Sequence, residues 1–551
     1  MRLRSHLPFR SHGGLVALTT GLPLAEGLVL RWSGMAAAQP LAPQITAPEP
    51  FGIFHDLRWV SVFHDAWWSF ALELLLLVAF RAGLMTLLVR LAWPGDRPRP
   101  PLRPMLIHNA IFTAAVLVLL TPSEALIFAS AAAPVSWIFL AAWPLALLVA
   151  VLVFPGPVRH DWWRWRAPAR SVGWVFLTFV VLTAGGALVA SSPPGLAELA
   201  IVATGLFDAW AWVRIVRGLI EPGASAIRLP QPSISLALMA AVVLGMTALT
   251  FGLLRDVSRL NQSASRPASR SGRPVLLVTG FGSSWSGRPD PLLGSDFDQR
   301  RFSYAGMGPN LDPLPFGPQA TQRPLPVLVR EMARQVRAFA EQTGQQVSIV
   351  AESEGTVVAK TYLATHPGAP VSRLIMLSPL VDPGRVYFPP PGREGWGVAS
   401  GWEVRGISAV IRWLSSLQVA PDVPFFRDLV NEAPALQRIL RCPLAGVRQI
   451  AFEPLADAVT GLPPTEGSGA VPRVVIPAFH GGMLESASVQ RSVDVVLSGG
   501  TLPSFRAWEV LDRAVRAVAS PWQSPSLPAT LPTAWDHTRL PDPVCAPVGS
   551  T

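Results

Sequence analysis

The sequence predicts a bundle of membrane-spanning helices followed by an α/β domain with a doubly wound, mostly parallel sheet. Half of the 551 residues are hydrophobic and only 15% are charged, whereas an ordinary soluble domain carries about 25% charged residues. Long apolar runs fill the chain up to residue 254. After residue 273, short apolar runs alternate with amphipathic stretches, a rhythm typical of parallel strands joined by helices.

Six apolar runs in the first half are long enough to cross a bilayer. A spanning helix takes about 20 mostly apolar residues, because the hydrocarbon offers no water to backbone groups. The runs cover approximately residues 67–92, 106–130, 134–154, 172–190, 197–219 and 233–254. We therefore predict a membrane domain of about six helices over residues 51–254.

Residues 1–50 are predicted to form a signal-peptide-like segment or an additional membrane helix. Three arginines among the first ten residues precede an apolar stretch at 13–30. The residues MAAAQP at 35–40 resemble a cleavage site built from small side chains. Either interpretation leaves residue 51 outside the cytoplasm.

Arginines in the short connections predict the orientation of the bundle. The first, third and fifth connections carry arginines, whereas those around 122–134 and 191–196 carry neither Arg nor Lys. The positive-inside rule places the arginine-bearing connections in the cytoplasm. The C-terminal half is then extracytoplasmic, in an integral protein of a bacterial-type inner or cell membrane. Arginines at 255–273 oppose this orientation, but long translocated domains respond weakly to flanking charge.

The net charge of +10 does not indicate nucleic-acid binding. Nearly all of the basic residues are arginines, and they are scattered or gathered near predicted membrane connections instead of forming a basic stripe interleaved with aromatics. Cys442 and Cys545 lack the spacing of metal ligands, so we expect no metal and no cofactor. Whether these two cysteines pair stays open.

The second half divides into a linker at 255–273, an α/β domain at 274–519 and a Pro-rich tail at 520–551 that we predict to be disordered. The insertion at 385–440 interrupts the strand–helix alternation with Pro/Gly turns and two possible helices, near 406–417 and 425–440. Strands are predicted at 274–279, 300–304, 347–351, 373–378, 447–452 and 473–479, and helices at 326–342, 356–364 and 487–497.

The stretch SIVAESEGTVVAK at 348–360 contains a small-x-Ser-x-Gly pattern centred on Ser353. A chain this rich in Ala and Gly produces such a pattern about once by chance. The structural context of Ser353 therefore has to show whether the pattern marks a nucleophile. A predicted strand precedes Ser353 and a predicted helix follows it. A sharp turn between them would expose the serine hydroxyl above the sheet, which is the geometry of a nucleophile. The alternative is a serine in a surface loop.

A serine hydroxyl is a weak nucleophile until a base removes its proton. His480 follows the predicted strand RVVIPAF and opens the flexible loop HGGML, which makes it the favoured base. The acid that orients the base is expected between serine and histidine in the chain. Asp457, in FEPLADAVTG, is favoured, and Asp382, in SPLVDPG, is the alternative.

Two backbone N–H groups are expected to form an oxyanion hole, which stabilises the negative charge that develops on a carbonyl oxygen. One is the N–H of Glu354, the residue after the serine. The other is the N–H of Phe281, in the flexible sequence TGFG after the first predicted strand. The alternative interpretation of this sequence is an ordinary tight turn at the end of a strand.

Residues 274 to about 500 resemble the α/β-hydrolase superfamily, particularly its lipases and esterases. The sequences VLLVTGFG, FSYAGMGP, IVAESEGT, PLADAVTG and FHGGML carry the resemblance, in the order of the family. The resemblance implies a Ser353–His480–Asp457 triad and hydrolysis of carboxylic esters through an acyl-enzyme. It also implies a cap or lid at 385–440.

The chain departs from the family pattern at three points. Ala351 replaces the usual first glycine, Thr279 stands where a histidine is common, and no strands are evident before residue 274. The last departure predicts a compact sheet that begins with the strand before the oxyanion loop. The membrane bundle resembles no family that we identify.

The sequence therefore predicts a membrane-anchored serine hydrolase that acts on small lipophilic esters or lipids, with the bilayer as its other partner and acyl transfer as a variant. The alternative is a transporter-like or scaffold bundle whose hydrolase-like domain is a catalytically inactive regulator. Charged residues within or near the predicted spans motivate this alternative: Glu73, Arg81, Glu124 and Asp208. The favoured interpretation is that Glu73 and Asp208 pair with arginines between helices or lie near the membrane interface. A large separation of Ser353 from His480 would favour the alternative of an inactive domain.

Overall fold

The computed structural model describes most of both halves of the chain. The described residues are 12–132, 147, 149–164, 169–221, 272–289, 292–380, 386–414, 420–441, 444–454, 471–476, 478, 480–500, 502, 506–527 and 540. Several sequence predictions lie wholly or mostly outside them: the runs at 134–154 and 233–254, the linker, Asp382, Asp457, both cysteines and the tail beyond residue 527.

The first half is helical and apolar, as predicted. Among the described residues of this half, five helices are long and apolar enough to cross a membrane. They are α1 (Gly13–Trp32), α3 (Trp67–Ala92), α4 (Leu102–Ala132), α5 (Ala169–Ser191) and α6 (Leu196–Ile220). A 3-10 helix (Ala36–Gln44) and the shorter α2 (Phe51–Val62) lie between α1 and α3. The apolar stretch at 13–30 thus forms one long helix.

Small residues bring these helices close together, as is typical of membrane bundles. A Cβ atom placed on Gly205 of α6 would lie 2.2 Å from the carbonyl oxygen of Thr19 of α1. A side chain at this position would force the two helices apart. Glycine therefore fixes the α1–α6 contact.

Charged residues of the spans are buried in two different ways. Arg81 of α3 donates two hydrogen bonds to the carboxylate of Asp56 on α2, at 2.5 and 2.6 Å. Asp208 of α6 is buried, and among the described residues neither of its carboxyl oxygens has a hydrogen-bond partner. Arg81 is therefore paired with a carboxylate of a neighbouring helix, whereas the arginine partner predicted for Asp208 is not found among the described residues.

The second half contains a six-stranded parallel sheet, so the doubly wound α/β prediction is confirmed at the level of the fold. The strands are β1 (Arg273–Val278), β2 (Phe297–Arg301), β3 (Val347–Glu352), β4 (Val371–Leu377), β5 (Arg448–Pro454) and β6 (Arg473–Ile476). Their order across the sheet is β2-β1-β3-β4-β5-β6, and every neighbouring pair is parallel. The chain reverses its winding direction between β1 and β3.

Helices cover both faces of this sheet. They include α7 (Leu325–Thr343), α8 (Glu354–Thr365), α12 (Ala487–Leu497) and α13 (Arg506–Ala519). Alternate residues of β3 serve the two faces: Ile349 and Ala351 pack with the apolar residues of α7 and α8, and Val350 packs with those of α12. This burial on both faces explains why the strands read as continuous apolar runs.

The insertion between β4 and β5 contains α9 (Val398–Leu414), α10 (Pro424–Asn431) and α11 (Ala433–Arg441). The helix predicted near 406–417 begins earlier than expected. The helix predicted near 425–440 is two helices, and Pro434 explains the break. Proline has no N–H to donate and clashes with the preceding turn inside a helix, so it is tolerated only in the first turn of a new one.

The two halves pack against each other at two places. At the first, the N-terminal part of α9 meets the residues around the end of α2: the Ser400 hydroxyl donates to the Ser61 carbonyl at 2.8 Å. At the second, the 3-10 turn Ser520–Trp522 enters the helical half, where the Trp522 indole N–H donates to the Thr183 hydroxyl at 3.0 Å. Residues 520–527, assigned from composition to the Pro-rich tail, are therefore packed.

Candidate active site

Ser353 occupies a sharp turn between β3 and α8. The strand ends at Glu352 and the helix begins at Glu354. Ser353 has φ 51° and ψ −115°, a backbone conformation that residues with a side chain rarely adopt. Its N–H donates to the Leu377 carbonyl of β4 at 2.9 Å, which anchors the turn to the sheet. Strained residues of this kind persist only where the surroundings fix them, and they concentrate at functional sites.

The small residues around Ser353 are required by close packing. A Cβ atom on Gly355 would lie 2.8 Å from Cγ1 of Val278 and 3.0 Å from the carbonyl oxygen of Thr279. Ala351 is completely buried. The first turn of α8 therefore lies directly against the end of β1, and the small-x-Ser-x-Gly pattern has a steric cause.

Ser353 and His480, which are 127 residues apart in the chain, meet at the carboxyl edge of the sheet. The Ser353 Oγ and the His480 Nε2 are 2.9 Å apart, which is hydrogen-bond distance. His480 lies in the loop after β6, and the two glycines that follow it, Gly481 and Gly482, have φ values of 86° and 72°. Glycine adopts this left-handed conformation without a steric penalty, so the sequence HGG permits the tight turn that directs the imidazole towards Ser353.

The two predicted oxyanion donors lie on either side of Ser353: Phe281 in the loop after β1, and Glu354 as the first residue of α8. A Cβ atom on Gly280 would be only 3.1 Å from the Cβ of Ser353, so the loop after β1 runs directly beside the serine. Among the described residues, neither the N–H of Phe281 nor that of Glu354 has a hydrogen-bond acceptor. Both donors follow the carboxyl ends of β1 and β3, where the sheet reverses its winding and where parallel α/β sheets bind their ligands.

The predicted acids, Asp457 and the alternative Asp382, both lie outside the described residues. In sequence, Asp457 follows the end of β5 and Asp382 follows the end of β4. These strands are neighbours in the sheet, and their carboxyl ends lie on the same edge as Ser353. Both aspartates stay candidates for the residue that orients His480.

Glu352 has a place in the site that the sequence pattern did not assign. Its buried carboxylate accepts the backbone N–H of Met483 at 2.9 Å and that of Leu484 at 3.4 Å. It therefore holds the loop that carries His480. Burial raises the pKa of Glu352, and the nearby imidazole of His480 opposes this effect by favouring the carboxylate. In the sequence, the signal for this role was a charged residue at the end of an apolar strand.

Glu354 is predicted to contribute to the site through its backbone N–H and not through its side chain. Its side chain is buried, and neither carboxyl oxygen has a hydrogen-bond partner among the described residues. Burial raises the pKa of Glu354 well above its ordinary value. The buried carboxyl group is not accessible to a substrate, so the role predicted for Glu354 rests on its backbone N–H.

Aromatic side chains connect the loop after β1 with the insertion between β4 and β5. The ring of Phe281 stacks on that of Phe426 of α10, with centroids 4.6 Å apart, and Phe425 lies 6.4 Å away. Phe281 and Phe426 are both partly exposed. The insertion thus supplies an apolar wall next to the loop that borders Ser353.

Across the part of the chain that the structure describes, no group of three or more His, Cys, Asp or Glu side chains is placed to hold a metal ion.

No known protein family matches the sequence, and no curated protein is similar to it. Two solved structures are similar in part. The epoxide hydrolase CorEH without ligand is 19% identical, with 42% of this chain and 92% of its own covered and a TM-score of 0.24. Aspergillus fumigatus lipase B is 14% identical, with 76% of this chain and 98% of its own covered and a TM-score of 0.23.

With TM-scores this low, neither similarity assigns a family or an activity. The geometry of the site stands on its own: Ser353 and His480 meet at the carboxyl edge of a parallel sheet, beside a turn that holds the serine in a strained conformation. This arrangement is consistent with an α/β-hydrolase fold.

Proposed function

We propose that this protein is a membrane-anchored serine hydrolase that cleaves carboxylic esters, with Ser353 as the nucleophile and His480 as the general base. The observation that carries the proposal is the 2.9 Å separation of Ser353 Oγ from His480 Nε2. A nucleophile and its base are expected within hydrogen-bond reach. The strained turn at Ser353 supports the same role, because it holds the hydroxyl above the sheet edge.

In the proposed reaction, the Ser353 Oγ attacks the ester carbonyl carbon while its proton passes to the His480 Nε2. The negative charge on the carbonyl oxygen is stabilised by the N–H groups of Glu354 and Phe281. The bond to the alkoxy oxygen then breaks, and His480 returns the proton to the departing alcohol. Water attacks the acyl-enzyme by the same route, and a second alcohol in place of water gives acyl transfer. Asp457 is our first choice for the acid that orients His480, with Asp382 as the alternative.

Lipophilic esters or lipids are the proposed substrates. The insertion places aromatic rings beside the oxyanion loop, and its helix α9 packs on helices that are long and apolar enough to cross a bilayer. An ester that partitions into the bilayer would thus be close to Ser353. We further propose that the α/β domain is extracytoplasmic, because the arginines of the bundle favour that orientation.

The alternative of an inactive regulatory domain on a transporter-like bundle is less well supported. This alternative predicts that Ser353 and His480 lie far apart, whereas their side chains are within hydrogen-bond distance. The buried Asp208 remains a feature that ester hydrolysis does not use.

A fluorophosphonate probe tests the proposal, because it reacts covalently with activated serines. The wild-type protein in detergent should be labelled, the Ser353→Ala variant should not, and His480→Ala should label far more slowly. Ser348→Ala, at the other end of β3, is the matched control and should label normally. Asp457→Asn and Asp382→Asn separate the candidate acids, since only the true partner should slow labelling strongly.

A membrane-impermeant form of the probe, added to intact cells, should label the wild-type protein if the domain is extracytoplasmic. Labelling only after lysis would place the domain in the cytoplasm and leave the chemistry intact. The hydrolase assignment would be overturned if the folded wild-type protein never reacted with the probe. It would also be overturned if the Ser353→Ala variant were labelled as strongly as the wild-type protein.

A further inference from the structure

The exposed face of α9 is apolar. The exposed residues of this helix, up to the last residue whose side chain is described, are Trp402, Gly406, Ala409, Val410 and Trp413. Their spacing places them on one stripe about 100° wide, because each residue advances the helix by about 100°. Trp402 is 47% exposed, Val410 is 53% exposed and Trp413 is 83% exposed. No charged residue belongs to this stripe.

A helix of the same domain that faces water looks entirely different. The exposed residues of α7 are Arg330, Arg334, Arg337, Glu341 and Gln342, all charged or polar. This is the usual pattern for a surface helix, which hides its apolar stripe and presents charges to the solvent. The exposed stripe of α9 therefore does not suit an aqueous surface.

The opposite face of α9 packs against the helical half of the chain and is hydrogen-bonded to it. The Ala399 N–H donates to His64 Nε2 at 2.9 Å, next to the bond between Ser400 and Ser61. Glu403 faces Glu124 of α4, and burial raises the pKa of Glu403. These contacts fix the rotation of α9 about its axis, so its apolar stripe is held in the exposed position.

The contacts of α9 place it at one end of the membrane-spanning helices. His64 lies immediately before α3, and the Trp67 N–H at the start of α3 donates to Glu394, just before α9, at 3.4 Å. A bond of 2.9 Å from Asn109 to Thr86 joins the first part of α4 to the last part of α3, so the two helices are antiparallel. The start of α3 and the end of α4 therefore lie at the same end of the bundle, where α9 contacts both.

This end of the bundle has the features of a membrane interface. Trp67 and Trp68 are exposed at the start of α3, and tryptophans gather at the level of lipid headgroups. Further along α3, the exposed large side chains are apolar: Leu72, Leu75, Leu76, Phe80 and Leu87. The exposed stripe of α9, which lies at the same end of the bundle as these two tryptophans, is thus apolar like the surface that the spans present to lipid.

We propose that α9 is an interfacial helix whose Trp402–Trp413 stripe lies among the lipid headgroups and upper acyl chains beside the start of α3. The ligand of this surface is bilayer lipid. An apolar helix face that lies in the interface plane is the usual mode of such binding. The inference rests on the membrane location under the proposed function. It adds that the insertion itself is partly immersed, which gives lipophilic substrates an entry that does not pass through water.

Depth-dependent quenching tests this inference. Single-cysteine variants of the full chain, with Cys442 and Cys545 replaced by serine, are labelled with the fluorophore NBD and placed in phosphatidylcholine nanodiscs. A label at Trp413→Cys should be quenched roughly twofold or more by lipids that carry a shallow spin label, and less by a deep one. Leu76→Cys on α3 is the positive control for lipid contact, and Arg337→Cys on α7 is the control for an aqueous surface.

Quenching at Leu76→Cys and Trp413→Cys, but not at Arg337→Cys, supports an immersed α9. Quenching at Leu76→Cys alone overturns the inference and leaves the membrane location intact. A Trp413→Cys label that is unquenched but shifts to the blue with rising protein concentration shows that a second copy covers the stripe, and this also overturns the inference. Absence of quenching at Leu76→Cys refutes the membrane location itself, whatever the fluorophosphonate result.

Discussion

Glu352 and Ser353 are adjacent in the chain but act on different parts of the site. Ser353 presents its hydroxyl to His480, while Glu352 holds the backbone of Met483 and Leu484 in the loop that follows that histidine. These two adjacent residues therefore position both the serine and the loop that carries the histidine. Glu352 touches no reacting atom, so it is a positioning residue.

The Glu352→Gln variant should lower kcat about 10–100-fold with little change in KM. A glutamine oxygen can accept one of the two N–H groups, but its NH₂ group repels the other, so the His480 loop loses its clamp. The variant also removes a negative charge that stabilises the imidazolium of His480. The pKa of His480 should fall, and the acidic limb of the kcat/KM profile should move to lower pH. Hydrolysis of a soluble ester, measured across pH, checks both effects.

Glu341→Gln, which removes an exposed carboxylate from α7, is the control and should leave the profile unchanged. Glu352→Asp, which keeps the charge, should retain the wild-type position of the acidic limb even if kcat falls. A Glu352→Gln enzyme with wild-type kcat and pH profile would show that the clamp does not position His480.

Local sequence patterns singled out Ser353 and His480, but not Glu352. A small-x-Ser-x-Gly sequence after an apolar run and an HGG sequence after another are visible without knowledge of the fold. The partners of Glu352 are 131 and 132 residues away and are backbone groups, which no side-chain pattern reveals. The acid partner of His480 stays a prediction, because both candidates lie outside the described residues.

At the scale of elements, the predicted strands agree with the structure except where buried aromatics follow a strand. The strand expected at 300–304 is β2, at Phe297–Arg301. Phe302 and Tyr304 lie beyond its end, and both are buried in the core that α7 covers. An apolar pattern reports burial, and a buried segment after a strand produces the same pattern as the strand itself.

The contact between α8 and β5 contains the only lysine of the chain, Lys360. Lys360 is completely buried and donates to the amide oxygen of Gln449. Burial lowers the pKa of Lys360 from 10.5 to about 7. Between pH 7 and 10.5 the unfolded chain therefore binds the proton more tightly than the folded protein, so stability should rise with pH across this window.

The Lys360→Met variant should be more stable than the wild-type protein at pH 7, by about 1–4 kcal/mol, because it buries a side chain of similar length without a charge. Its advantage should shrink as the pH rises from 7 towards 10, where the wild-type lysine becomes neutral in the unfolded chain as well. Thermal unfolding in detergent at several pH values measures the difference. Arg330→Met, on the exposed face of α7, should show no such pH dependence. If the stability advantage of Lys360→Met stayed constant or grew as the pH rose, it would not originate in the burial of a protonated lysine.

At the scale of the whole molecule, the α/β domain is attached to the helical half on two sides. The insertion between β4 and β5 meets α2 and α4, and the chain after α13 returns to the 3-10 helix and to α5. The second attachment uses backbone carbonyls: Gln44 and Arg58 both donate to Pro521, at 2.6 and 2.9 Å. Composition does not predict this contact, because a Pro-rich segment after the last helix is typical of a disordered tail.

Trp522 is the centre of the second attachment. Its ring stacks on Phe179 of α5 at 4.8 Å and meets the edge of Phe51 of α2 at 5.9 Å, and it is almost fully buried. Replacing a buried tryptophan by alanine typically costs about 3–5 kcal/mol, through lost burial and the cavity that remains. Because this ring joins the two halves, the Trp522→Ala variant should loosen their contact as well as lower the melting temperature.

Limited proteolysis of the detergent-solubilised protein measures this loosening. Trp522→Ala should be cleaved faster than the wild-type protein, because loss of the contact exposes the residues of both halves that the Trp522 ring now helps to bury. Trp508→Ala, which removes an exposed ring from α13, should leave both the cleavage rate and the melting temperature nearly unchanged, since exposed substitutions usually alter stability by less than about 0.5 kcal/mol. Equal behaviour of the two variants would show that Trp522 does not hold the halves together.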